Sequence, residues 1–367
     1  MLRRDVEDRT ILLALTGSHL YGMATETSDK DYKGIFIAPK EYYLGTQNVE
    51  QKDSGWNEEG NGHFSQLDNN RDTVIYELRK YIKLASQCNP NILELLFADQ
   101  FIEYLHPVYG IKLIDKRKLF LSNRVRHTYA GYAHAQIKKV RTHRKWLLNP
   151  PTHRPTPEEF GLEKVGGPLN KAQLNAFLEF AWLLIRDRVE YIEEEKELYT
   201  LLKERIDLKG ALKDTKRGIP DYCLEDIQSL TNASDEFMAK VTKTQQFRKA
   251  LNYWDSYNSW KKNRNADRAS LEAKCGYDSK HMAHCIRLLR TGNEILLTGR
   301  LIPNRSNIDA EELLNIRLGN VSYDVVEDMA DKLFADLSIN TEKSKLPYSI
   351  DNKAVDNLLI EIVESCI

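Results

Sequence analysis

The apolar positions change their rhythm once along the chain. Up to about residue 100, short apolar and β-branched runs alternate with turn formers; after about residue 108, apolar residues recur at helical spacing. Ile11–Leu15 is a short apolar run stopped by Thr16-Gly17-Ser18, the pattern of a buried strand entering a turn. Tyr32–Ala38 predicts a second strand, with Gly34 inside it and Pro39 after it. Asn57–Asn70, rich in Gly and Asn, predicts a long polar loop. Thr73–Tyr76 is β-branched and aromatic, and Glu77–Gln87 then takes helical spacing through Leu78, Tyr81, Ile82 and Ala85. Asn89-Pro90 fits an N-cap followed by proline at the first helical position, opening a helix over Asn91–Ala98.

Farther on, Ser122 is placed to cap a long helix reaching Leu148, which Asn149-Pro150-Pro151 breaks. Asn170 opens an amphipathic segment through Phe177, Phe180, Trp182 and Leu184 toward Leu202. Further helices are expected near 232–250, 278–298, 309–318 and 322–338. The fold class is therefore α+β: a small mixed-sheet domain over residues 1–107, then a larger all-helical domain over 108–367. A chain of 367 residues exceeds what one core usually supports, which agrees with two domains.

Composition narrows the class without naming a chemistry. With 41% hydrophobic and 29% charged residues, the chain reads as globular, and its net charge of −1 averages over strongly biased stretches. No apolar run is long enough for a membrane span, and Met1–Asp8 lacks the apolar core of a signal peptide. The five cysteines are scattered without a CxxC pair, the usage of free thiols in a reducing compartment rather than a zinc site. A cytoplasmic protein without membrane contact is the expectation.

The chemistry concentrates in Gly17-Ser18-His19-Leu20-Tyr21-Gly22 and Ser28-Asp29-Lys30-Asp31-Tyr32-Lys33-Gly34. A strand ending in Gly17-Ser18 turns backbone N–H groups and a hydroxyl toward a bound anion. Asp29 and Asp31, two residues apart at the start of the next strand, point to one face. Side-by-side carboxylates repel unless a cation bridges them, and an oxygen-rich site that retains phosphate oxygens suits Mg²⁺. An isolated Asp-x-Asp is common on surface turns; paired with a phosphate-type turn about ten residues upstream, it reads as a phosphoryl or nucleotidyl transfer site. No GxxxxGK[ST] occurs, which argues against a P-loop kinase.

The segment resembles the signature of the DNA polymerase beta superfamily of nucleotidyltransferases: Gly-Ser, a short helix, then Asp-x-Asp on a strand. Carried through Gly34-Ile35-Phe36, it is similar to the YcgL or RlaP branch found in bacteria and phages, some members beside RNA-repair ligases. Tyr76–Lys80, Asn89–Leu96 and Lys280–Arg290 extend the likeness, whereas 155–270 adds little. The resemblance implies a nucleoside triphosphate donor, two Mg²⁺ ions (Mn²⁺ as an alternative) and in-line attack on the α-phosphate with loss of pyrophosphate. It implies that Asp29 and Asp31 bind both metals and that Gly17 and Ser18 hold the β- and γ-phosphates. Members use a third carboxylate on a later strand: Asp72, which opens the strand Thr73–Tyr76, is preferred, with Glu77 as runner-up. These two, five residues apart, lie on opposite faces, and Glu77 equally suits the first turn of a helix. Ser28 is read as fixing the turn before Asp29. His19 is a candidate triphosphate contact or an ordinary turn residue, and Lys80 a candidate phosphate contact or a solvated lysine.

From Lys116 to Arg154 stand eleven Lys and Arg, four His and no Asp or Glu, interleaved with Tyr129, Tyr132 and Trp146. Such a stretch suits a polyanion, an RNA backbone included; the competing reading pairs it with the acidic stretch Glu179–Glu197. Lys280, His284 and Arg287 fall on one helical face over 278–298, with Met282, Ile286, Leu289 and Leu296 facing the core, and are candidate nucleotide contacts. The expected activity is transfer of a nucleoside monophosphate to an RNA or tRNA end. Transfer to a protein side chain and a silent nucleotide- or RNA-binding module are the alternatives.

Overall fold

The computed structural model describes residues 3–26, 28–53, 72–163, 167–177, 228–229 and 231–366. The polar loop expected at Asn57–Asn70, the acidic stretch Glu179–Glu197 and most of the segment after Asn170 lie outside the described residues. The chain packs as two compact units, one of Met1–Leu148 with Asp267–Ile367, the other of Asn149–Ala266. This partition differs from the division at 107/108, because the flanking helices share the sheet's own core.

In the first unit a five-stranded sheet runs in the order β3-β4-β2-β1-β5, with β1 Thr10–Leu15, β2 Asp31–Phe36, β3 Gln51–Asp53, β4 Asp72–Glu77 and β5 Ile102–Leu105. β2 and β4 are parallel, and the other pairs are antiparallel. The strands at 10–15, 31–36 and 72–77 follow the expected apolar runs within a residue or two. The short strands β3 and β5 carry no strong alternation; pairing with a neighbour, rather than local propensity, makes them strands.

On one sheet face Leu12, Ala14 and Ile35 join the main core; on the other, Tyr32 packs with Leu13, and Phe36 with Ile75. The main-core face is covered by α4 (Leu78–Ser86), α5 (Pro90–Leu96) and helices from the two ends of the unit. Asn89 caps α5 through its side chain, which accepts from Asn91 N at 3.1 Å, and Pro90 follows it. The long helix α7 (Val125–Leu148) buries Val125, Tyr129, Ala133, Ile137 and Val140 along one stripe. Numbering the later described helices in order, Asp235–Lys262 is α8, Ala266–Cys275 α9, Ser279–Thr298 α10, Ala310–Arg317 α11, Tyr323–Lys343 α12 and Asn352–Cys366 α13.

Helix α10 lies between α7 and α12 and also packs on α11. Its N-cap is Asp278, its C-cap is Gly299 at φ +64°, and Met282, Ile286, Leu289 and Leu296 are buried as the periodicity predicts. Full burial of each such side chain contributes about 1.5–3 kcal/mol. In the second unit, the Phe160 and Phe247 rings stand 5.6 Å apart, and Arg248 on α8 donates to the Leu169 carbonyl at 3.0 Å. Among the described residues no helix is long and apolar enough to cross a membrane.

Candidate active site

β1 ends at Leu15, and the chain turns through Gly17 at φ +63° into the short helix Gly17–Leu20. Thr16 fastens this turn to the start of β2: its N–H and its hydroxyl donate to the Asp31 carbonyl at 2.8 and 3.1 Å. Gly17 is required twice over. Its φ is left-handed, and a Cβ there would sit 2.2 Å from Asp31 Oδ2. The Asp31 carboxylate therefore rests directly on the glycine of the Gly-Ser turn.

The parallel register sets Asp31 opposite Asp72, so both begin their strands on one face, together with Lys33. Asp31 has its pKa raised, first by burial and then by the charges of Asp72 and Asp29; Lys33 and Lys280 offset this only in part. Asp31, Asp29 and Asp72 thus act on one another beside Lys33 and Lys280, an oxygen-rich set of the kind a divalent cation takes.

Glu77 closes β4 opposite Phe36 and turns to the other sheet face. There it is 5% exposed, accepts a hydrogen bond from Tyr43 Oη at 2.5 Å and caps α4 by accepting from Lys80 N at 3.1 Å. Of the two candidates for third carboxylate, Asp72 is the one beside Asp31.

Ser28 accepts from Thr25 N at 2.9 Å, which shapes the turn before Asp29, and Arg317 reaches it at 3.3 Å while donating to the Met23 carbonyl at 2.7 Å. Arg305 N donates to the Tyr21 carbonyl, and Gly22, at φ +70°, is packed so tightly that a Cβ would lie 2.3 Å from Ser306 Oγ. The turn after β1 is thus held from both sides, by β2 and by the helical part of the same unit. His19 has its Nε2 buried without a hydrogen-bond partner.

The stripe expected on α10 divides in two. Lys280 is exposed and near enough to Asp31 to act on its ionisation. His284 is held down to about 3, mainly by burial and then by the charge of Arg287, with His281, Lys139 and Lys33 adding to the effect, so its imidazole is neutral at pH 7. Arg287 does not face solvent. It is 1% exposed, paired with the Glu94 carboxylate, and its guanidinium lies 3.7 Å from the centroid of the Tyr21 ring. Tyr21 Oη donates to the other Glu94 oxygen at 2.5 Å. Arg287 is a closed core pair that seats α10 against α5 and the Tyr21 turn, which corrects its place among nucleotide contacts.

Lys80 is likewise taken up elsewhere, by Glu50 at 2.8 Å and Gln51 at 2.9 Å beside β3. Lys33 escaped the sequence reading because a strand lysine looks solvent-facing. In the fold it is largely enclosed beside Asp31, donates to the Asn91 carbonyl at 3.0 Å and has its pKa lowered by burial against the pull of Glu94 and Asp31. Its position two residues after Asp31, on the same strand face, was the available signal.

The basic segment is partly neutralised within its own unit. Arg141 pairs with Glu327 and Asp331 of α12, and His143 meets the buried Asp278 carboxylate at 2.8 Å. Arg124, Arg126, Lys138, Lys139 and Lys145 remain exposed.

Among the described residues no three His, Cys, Asp or Glu side chains form a metal cage by themselves. The donor set nevertheless fits Mg²⁺, which takes carboxylate oxygens from the protein and completes its shell with substrate phosphate and water. Asp31, flanked by Asp29 and Asp72, is the observation that fits.

A small mixed sheet with a Gly-Ser turn, an Asp-x-Asp strand start and a third acid on the parallel neighbour defines the DNA polymerase beta-like class, here joined to helices. Residues 2–150, which contain the whole carboxylate site, match the RNA repair pathway DNA polymerase beta family, RlaP. Beyond the segment, the chain is 24% identical over 361 residues to a protein of Enterobacteria phage T4 described as an uncharacterized 38.9 kDa protein in the nrdC-mobD intergenic region; the match covers 96% of each. No solved structure matches.

Proposed function

We propose that this protein is a Mg²⁺-dependent nucleotidyltransferase that moves a nucleoside monophosphate from a nucleoside triphosphate to a hydroxyl at an RNA end. The observation that carries this reading is the in-register placement of Asp31 beside Asp72, with the Asp31 carboxylate resting on Gly17. Asp29, Asp31 and Asp72 would hold two Mg²⁺ ions, which when bound neutralise charge on the phosphates and on the attacking and leaving oxygens. The Gly17–Ser18 turn would receive the β- and γ-phosphates. Lys280 would supply positive charge, and the neutral His284 a hydrogen bond, from α10. Asp72 would take the proton of the acceptor hydroxyl. The hydroxyl oxygen would form a bond to the α-phosphorus as the bond from that phosphorus to the pyrophosphate oxygen breaks.

RNA as the acceptor is supported by the repair-pathway description of the matching family and by the exposed basic residues of α7. Use of nucleoside triphosphates as donors supports a cytoplasmic location. The test is incubation with Mg²⁺ and each of four α-labelled nucleoside triphosphates, with total RNA or lysate protein added, alongside Asp29→Ala and Asp31→Ala. Label in RNA, lost in both variants, is the expected result. Label in protein would redirect the activity to side-chain modification. Nucleotide binding without label in either would leave a binding module.

A further inference from the structure

We infer that a second site, formed where α7 begins, binds the phosphate of a ribonucleotide whose base stacks on Tyr348. A cavity of about 520 Å³ opens there, lined by Ser122, Asn123, Arg124, Arg126 and His127 from the start of α7 and by Tyr348 and its neighbours. Its volume falls in the range of small-ligand sites. No lining residue is acidic.

Two features specify the ligand. Arg124 and Arg126 are exposed, and neither is paired with a carboxylate among the described residues, in contrast to Arg141 farther along the same helix. Two free guanidinium groups at the positive end of a 24-residue helix attract an anion, and their planar donor forks match phosphate oxygens. Tyr348 is 90% exposed, an aromatic ring with one face to spare at the edge of a cationic pocket. An aromatic side chain beside guanidinium groups is a common platform for an unpaired base. A phosphate with an attached base satisfies both the guanidinium pair and Tyr348; inorganic phosphate satisfies only the first.

The site is built rather than incidental. Asn123 N donates to the Pro347 carbonyl at 2.9 Å, which fixes the 347–350 segment against the start of α7, and Asp351 is turned away to cap α13 through Ala354 N at 3.0 Å. None of the residues of the carboxylate site lines this cavity. Occupation of the two sites is therefore separable by mutation. The shared ligand chemistry, a ribonucleoside phosphate, has two sources: an internal stretch of a single-stranded RNA or a free mononucleotide.

The experiment is fluorescence anisotropy of the full chain with a labelled single-stranded RNA of about ten nucleotides, within the span such sites take. Unlabelled RNA and AMP serve as competitors. Arg124→Ala/Arg126→Ala and Tyr348→Ala are each expected to weaken binding about tenfold. Lys138→Ala, which removes an exposed charge from the same helix outside the cavity, should weaken binding less than twofold. Displacement of the label by RNA alone assigns the site to the strand; displacement by AMP, lost in Tyr348→Ala, assigns it to the mononucleotide. The inference is overturned if the arginine and tyrosine variants, shown folded by unchanged thermal melting, bind both ligands as the parent does. It is equally overturned if Lys138→Ala loses as much as Arg124→Ala/Arg126→Ala, since binding would then be diffuse electrostatics.

Discussion

Two carboxylate sites within the first unit make opposite use of charge. Where β2 and β4 begin, burial and then the charges of Asp72 and Asp29 hold the proton on Asp31 more tightly, with Lys33 and Lys280 as only partial balance. At α5, Glu94 has one oxygen on Arg287 and the other on Tyr21, and the Arg287 guanidinium covers the Tyr21 ring. The second site is a buried ion pair closed by Tyr21, with one Arg287 nitrogen left without a partner. The first gathers carboxylates at the open start of two strands. The comparison explains why a stripe of three ionisable residues on α10 serves two purposes: Lys280, at its exposed end, faces the carboxylates, whereas Arg287, two turns on, is consumed in the closed pair.

Loss of charge at the open site should affect chemistry and leave folding intact. Asp31→Asn is expected to lower nucleotide transfer by about a thousandfold, the scale of losing a central electrostatic contact. The metal-free variant should melt no lower than the parent, because the carboxylate is destabilised by burial and by Asp72. Calorimetry beside a transfer assay measures both. A drop in melting temperature would mean that Asp31 is a structural residue and would break the contrast.

The closed site should behave in reverse. Glu94→Ala leaves Arg287 buried and without its partner, which costs about 3–5 kcal/mol of stability. Chemical denaturation of the intact chain reads this directly. A cost below about 1 kcal/mol, the level of an exposed pair, would show that water reaches Arg287 and would reopen it as a ligand contact.

Gly17→Ala tests the join between turn and carboxylate. The left-handed φ alone costs about 1–2 kcal/mol. The added methyl, built 2.2 Å from Asp31 Oδ2, must also displace that carboxylate. Transfer is expected to fall about a hundredfold, on the scale of a small misplacement of reacting groups. Retained activity in a folded variant would mean that the Asp31 side chain is free to swing without consequence.

The sheet and the carboxylates were legible in the sequence because each depended on local pattern: apolar runs gave β1, β2 and β4, and period-2 spacing put Asp29 and Asp31 together. Glu77 and Asp72 were separable in principle by strand parity, yet the choice needed the parallel register with β2, which no local pattern carries. The same holds for Arg287 and Lys33. Whether a cation on a helix or strand meets solvent, a ligand or a buried acid depends on partners distant in sequence, here Glu94 for Arg287 and Asn91 for Lys33. The partition into units was hidden for a related reason, since α7 and α10, far apart in the chain, pack closely on each other.

The smallest expected effect separates two lysines that sequence alone treated alike. Lys280 is exposed and acts on Asp31 across the site, so Lys280→Ala should raise KM for the nucleoside triphosphate about tenfold, the loss of a single exposed contact to phosphate. Stability should not change, because no packing is removed. Lys80 is held by Glu50 and Gln51 beside β3, and Lys80→Ala should leave both KM and kcat within twofold of the parent. Raising the salt concentration should narrow the gap between parent and Lys280→Ala, since an exposed charge is screened, and leave Lys80→Ala unmoved. Equal effects of the two substitutions on KM would mean that the ion pair with Glu50 opens when nucleotide binds. The division between closed pairs and open contacts would then hold for the buried Arg287 alone, where desolvation forbids such exchange.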